Sequence, residues 1–119
     1  MDFDIVRAIA LGLPGVDEGH LHGFPSLKVS GRLLACPAIH RSTEPNSLVV
    51  RIGFEESAGL IASEPDVYYL TDHYANHPAV LVRLDQIDRN SLKKLLALAW
   101  RFANAKKANR RGLRRRQAS

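Results

Sequence analysis

His73, Tyr74, Asn76 and His77 are the densest mixture of chemically able side chains in the chain, packed into the polar stretch Thr71-Asp72-His73-Tyr74-Ala75-Asn76-His77-Pro78. Two histidines four residues apart share a metal when they ride one face of a helix. Pro78 and the intervening Asn76 instead predict a loop, and no Glu lies within the spacing to act as a base, so no metal is expected. His73, Tyr74 and His77 remain as a candidate ligand-binding group, against the alternative of a hydrogen-bonded turn that pins the following strand. His20 and His22 point to one face if their segment is extended, but no third ligand accompanies them. Cys36 stands beside Pro37 in an apolar run and reads as a small buried hydrophobe rather than a nucleophile. Being the single cysteine, it forms no intramolecular disulfide and indicates a reducing compartment.

Cationic chemistry is concentrated at the other end. Eight of the seventeen Lys and Arg residues lie in residues 101–119, where there is no Asp or Glu. Residues 1–100 therefore hold nine basic residues against all twelve acidic ones, formally −3, and the terminal segment carries +8. The overall charge of +5 describes neither part. Arg101, Lys106, Lys107, Arg110, Arg111, Arg114, Arg115 and Arg116 suit sequence-independent contact with phosphates, each of which releases counterions when neutralised. The alternative is a solubilising segment that complements the negative pole of the last helix. Lys28, Arg32 and Arg41 flank a hairpin and form a candidate basic wing, or else charges that discourage edge pairing.

Catalytic signatures are missing. Gly12-Leu13-Pro14-Gly15 has a helix-ending Pro where a phosphate loop would open a helix, and no Gly-x-Ser-x-Gly elbow occurs. No carboxylate pair has a spacing that fixes it in one cleft. The expectation is a binding protein, not an enzyme, with no cofactor.

The elements that hold these residues follow from periodicity. Phe3, Ile5, Val6, Ile9, Ala10 and Leu13 recur at helical spacing behind Asp2 or Asp4, and Pro14-Gly15 ends the pattern. Residues 27–29 and 33–36 read as strands around a Ser30-Gly31 hairpin turn, and residues 48–52 as a third strand. A short helix over 53–63 comes next, then strands at 68–70 and 79–84. Asp88, Asn90 or Ser91 caps a long helix with the stripe Leu92, Leu95, Leu96, Ala99, Phe102 and Ala103. The predicted order is α-β-β-β-α-β-β-α: an α+β fold of two layers, an antiparallel sheet with helices packed on one face and the other face open. Length allows one domain with a genuine core, set at residues 1–108, followed by a basic, flexible tail at 109–119. The acidic start and the lack of a long apolar run predict a cytoplasmic protein with no membrane association.

Several stretches in this order resemble the MmcQ/YjbR family. They are Ala10-Leu11-Gly12-Leu13-Pro14-Gly15-Val16-Asp17-Glu18-Gly19, Gly23-Phe24-Pro25 with Lys28-Val29-Ser30-Gly31-Arg32, Tyr69-Leu70-Thr71-Asp72-His73-Tyr74 and Val80-Leu81-Val82-Arg83-Leu84. The resemblance runs from about Asp4 to Lys106. It implies an α-β(3)-α-β(2)-α fold like that of type III secretion chaperones, and it implies DNA binding, the family's usual description from fold comparison. On this reading Lys106, Lys107, Arg110, Arg111, Arg114, Arg115 and Arg116 contact phosphates of DNA or another nucleic acid, with Lys28, Arg32 and Arg41 orienting the body. The competing expectation is a small-molecule or protein ligand held by the open sheet face or the His73 loop.

Overall fold

Asp2 starts the first helix: its Oδ1 accepts the Ile5 amide at 3.2 Å, capping α1 (Phe3–Leu11). Val6 and Ala10 are its buried positions, and Pro14-Gly15 then turns the chain. In this computed structural model the backbone of residues 1–118 is described, and side chains are described for residues 1–105. Lys106, Lys107, Arg110, Arg111, Arg114, Arg115 and Arg116 thus lie outside the described side chains, as does the expected boundary between domain and tail.

Six strands follow as one antiparallel sheet: β1 (Val16–Leu21), β2 (Phe24–Val29), β3 (Arg32–Pro37), β4 (Ser47–Arg51), β5 (Tyr68–Tyr69) and β6 (Ala79–Arg83). Their spatial order is β1-β2-β3-β4-β6-β5. The α+β reading holds, and β1 adds a strand ahead of those predicted. Both early hairpins close through two-residue turns with two positive φ angles, His22 (53°) with Gly23 (82°) and Ser30 (53°) with Gly31 (75°). That conformation matches the right-handed strand twist and is cheapest for glycine.

Between β4 and β5 lies α2 (Phe54–Ser63), with Glu55 and Glu56 in its first turn where the helix dipole favours anions. Buried Ser57 donates its hydroxyl to the Ala79 carbonyl at 2.8 Å and ties α2 to β6. The last helix, α3 (Arg89–Ala118), is capped by Asp88, whose Oδ1 accepts the Ser91 amide at 2.7 Å. Leu92, Leu95, Leu96, Ala99 and Ala103 are buried in a stripe against the sheet, whereas Phe102 is only half-buried. Trp100 packs on the core, and its indole N–H donates to the Pro14 carbonyl at 2.8 Å.

All three helices bury their apolar stripes in one core on one sheet face, with Leu27, Leu34, Leu48, Val50, Ile52, Val80 and Val82. Side chains alternate across a strand, so Val49, Arg51, Ala79 and Leu81 face the opposite way. The pairs Leu27↔Ala35 and Lys28↔Leu33 leave Leu34 as an extra residue, a β-bulge that buries Leu34 and Ala35 together under the helices. It brings Leu33 and Cys36 onto the helix-free face.

Candidate cleft on the helix-free face of the sheet

A second, smaller apolar cluster covers the middle of the helix-free face. Val49, Ala79 and Leu81 are buried there beneath Cys36, Ala38, Tyr69 and Tyr74. The register explains the grouping, because Cys36↔Val49, Val49↔Leu81 and Leu81↔Tyr69 place four side chains in one row across β3, β4, β6 and β5. Tyr74 is delivered onto this row by the loop between β5 and β6. That loop is not helical. It is built from successive turns, with Tyr74 N donating to Thr71 O and His77 N to Tyr74 O, both at 3.0 Å.

The same turns bring His73, Tyr74 and His77 together, and the β3–β4 loop adds His40, which the sequence reading did not single out. The His40 and His73 rings stack at 3.6 Å between centroids, 8° from parallel. Tyr74 meets His73 edge-on at 4.8 Å, and His77 lies 6.4 Å from His73. The two loops are sewn together beside this stack. The Ser42 amide donates to His40 Nδ1 at 3.1 Å, while Ser42 Oγ lies 2.7 Å from that nitrogen and 2.9 Å from Thr71 Oγ1. With Nδ1 fixed as an acceptor, neutral His40 carries its proton on Nε2.

Electrostatics keep His40 neutral. Lost hydration, then the neighbouring His73 and Arg41, pull its pKa below the ordinary 6.5. Burial pushes the Tyr74 phenol and the Cys36 thiol up, opposed in each case by the nearby Arg51 guanidinium. Both therefore stay protonated at neutral pH, Cys36 as a poor nucleophile and Tyr74 as a hydrogen-bond donor.

Beside the rings opens a cleft of about 630 Å³. Its floor is Leu33, Cys36, Val49 and Ala79; one wall is the His40, His73, Tyr74 and His77 group; the other is Leu21, Phe24 and Pro25 from the first hairpin, with Ile39. Phe24 is 46% and Ile39 49% exposed, and with the exposed Leu21 they give the cleft an apolar rim. Pro37, Arg41, Arg51 and His22 complete the lining, and no Asp or Glu contributes. A second cleft of about 380 Å³ adjoins the first through the shared residues Leu33, Arg51 and His77, and adds Arg32, Pro78, Phe102 and Ala103.

A family model described as YjbR matches residues 11–102, which spans the whole sheet, α2 and the cleft. The chain belongs to the YjbR family. Two relatives, an uncharacterized protein of Mycobacterium tuberculosis and one of Mycobacterium bovis, are each 34% identical over 113 residues, covering 82% of this chain and 84% of theirs. A crystal structure of a Deinococcus radiodurans protein, of the domain type DUF419, superposes with a TM-score of 0.66 at 22% identity, covering 83% of this chain and 75% of that one. That likeness extends to the fold.

Within this YjbR fold the residues singled out by sequence part company. His73, Tyr74, His77 and Arg41 converge on the first cleft, and Arg32 lines the second. Lys28 stands on β2 opposite Asp17 of the edge strand and lines neither cleft. His20 and His22 do not share a site: His20 ends up outside the cleft lining and His22 sits in the turn at its rim. Among the described residues no three His, Cys, Asp or Glu side chains gather as a metal site, and no helix is long and apolar enough to cross a membrane.

The YjbR cleft is also braced from its far side. Arg83 forks onto Glu44, with Nη2 to Oε2 at 2.7 Å and Nε to Oε1 at 3.0 Å, and lies 4.3 Å over the Tyr69 ring. Tyr69 Oη in turn accepts the Glu44 amide at 2.9 Å. The β3–β4 loop that carries Ile39, His40 and Arg41 is thus anchored on β5 and β6.

Proposed function

We propose that this YjbR protein is a binding module whose site is the cleft on the helix-free face, and that its ligand is a compact anion with an apolar or aromatic body. The observation that carries this reading is the lining: an apolar floor, exposed Phe24 and Ile39, a wall of rings, and arginines and histidines without a carboxylate. A cleft of about 630 Å³ is of the size that small-molecule sites occupy, and they too are mostly apolar with a few placed polar groups. On this reading the module acts by binding rather than catalysis. We place it in the cytoplasm, where a lone free cysteine is stable.

The test uses 1-anilinonaphthalene-8-sulfonate, an apolar anion whose fluorescence rises on burial. The folded protein is expected to bind it saturably, and Phe24→Ala and Arg41→Ala, both at exposed positions, to weaken binding without moving the melting temperature by more than a degree or two. Unchanged affinity in both variants would sink the assignment.

A second reading rests on a separate observation, the eight cations without an acid in residues 101–119. Here Lys106, Lys107, Arg110, Arg111, Arg114, Arg115 and Arg116 bind nucleic-acid phosphates without reading sequence. Neutralising about five phosphates of duplex DNA predicts a slope of log K against log salt of roughly −4.5. A flat salt response would refute it.

A further inference from the structure

The two clefts adjoin, and their linings differ in kind. The first is ringed and apolar. The second brings Arg32 from the end of the Ser30-Gly31 hairpin and Arg51 from the end of β4 to one small space with His77, beneath the half-buried Phe102 of α3. Among the described residues the ion pairs are those of Arg7 with Asp4 and Glu18 and of Arg83 with Glu44, so neither Arg32 nor Arg51 has a carboxylate partner. Arg51 belongs to both linings, and its influence on the Cys36 thiol and the Tyr74 phenol places its charge where the two spaces meet.

We infer that the two clefts form one bipartite site for a nucleoside phosphate, with the base against the His40, His73 and Tyr74 rings and the phosphate between Arg32, Arg51 and His77. This rests on the cleft reading above and names its ligand class. A carboxylate is matched by one guanidinium. Two unpaired guanidinium groups and an imidazole match the several oxygens and higher charge of a phosphate. The stacked His40 and His73 rings, with Tyr74 edge-on to both and His77 tilted against His73 and Tyr74, make a polarizable aromatic corner against which a planar base packs with little regard to its identity. The same chemistry occurs in a free nucleotide and at the phosphorylated end of a nucleic-acid strand.

The test is a set of NMR titrations of the full chain with adenosine, adenosine 5′-monophosphate, inorganic phosphate and a 5′-phosphorylated oligodeoxyadenylate, following the His40 and Tyr74 ring signals and the arginine Nε–H signals. Adenosine is expected to move the ring signals, phosphate the Arg32 and Arg51 signals, and the monophosphate both, with about tenfold or more tighter binding than adenosine. In Arg32→Ala that advantage should fall to nearly none, while Lys28→Ala, on the same face but outside both clefts, should keep it. The tighter of the monophosphate and the oligonucleotide identifies the source. Equal affinity of adenosine and its monophosphate, or an advantage that survives Arg32→Ala, would overturn the inference and leave the cleft as a site for other apolar anions. Failure of every probe to move the ring signals would overturn both.

Discussion

His40 is held by two opposing demands. Its ring lies flat on His73 at 3.6 Å, and its Nδ1 already accepts the Ser42 amide. Lost hydration, then the neighbouring His73 and Arg41, set its pKa below the ordinary value, and protonating Nδ1 would also remove that acceptor. Because the folded pKa is depressed, the contribution of His40 to loop stability is complete above the unfolded value of 6.5 and is lost as the pH falls through it toward the folded pKa. A proton NMR titration should therefore give His40 a midpoint below 6.5, and His73→Ala should bring it back toward that value. A His40 midpoint at or above 6.5 in the wild type would contradict this environment for the His40 ring. Glu44 carries the same sign at more acid pH. Arg83 holds its carboxyl below the usual range, so the stability contributed by the clamp on the β3–β4 loop is complete above that range and is lost as the pH falls on through the lower folded pKa.

At the scale of elements, what the sequence made legible was whatever repeats locally. The stripes of α1 and α3, the β-branched β4 and the Ser30-Gly31 turn all announce themselves by period or by glycine. Gly31 has φ of 75° and nothing within 4 Å of where a Cβ would stand, so Gly31→Ala meets conformational strain alone. It should cost about 1–2 kcal/mol in a denaturant melt, and Ser30→Asn, at φ of 53°, should restore a few tenths. A loss well under about 0.5 kcal/mol would argue against that turn geometry. β1 escaped notice for a physical reason: Asp17, Glu18, Gly19 and His20 give no apolar alternation, because this edge strand buries only Val16 and leans on its pairing with β2. The bulge at Leu34 was equally silent. It shifts the phase of β3, which decides that Cys36 looks out over the cleft instead of into the main core.

For the whole molecule the decisive fact is that function and charge are laid out by topology. His40 and His73 are thirty-three residues apart and meet because the β3–β4 and β5–β6 loops both fold onto the helix-free face, where Ser42 and Thr71 join them. His73, Tyr74 and His77 could be named from their own loop, but Arg51, Phe24 and Ile39 gain meaning only once the strands are ordered. The net charge misleads in the same way. Among the described residues the last core member is Ala103, and the basic residues 106–116 come after it in the sequence. If the dense charge of residues 106–116 serves phosphate contact rather than folding, changing Lys106, Lys107, Arg110, Arg111, Arg114, Arg115 and Arg116 together to Gln in the full chain should leave the melting temperature within about 2 °C. Duplex DNA binding should fall and lose its salt dependence in that variant, whereas anilinonaphthalene sulfonate should bind the cleft as in the wild type. If the variant instead loses the dye as well as the DNA, the segment and the cleft act as one site, and the division of this protein into a neutral-to-acidic binding body and a separate phosphate-seeking end is wrong.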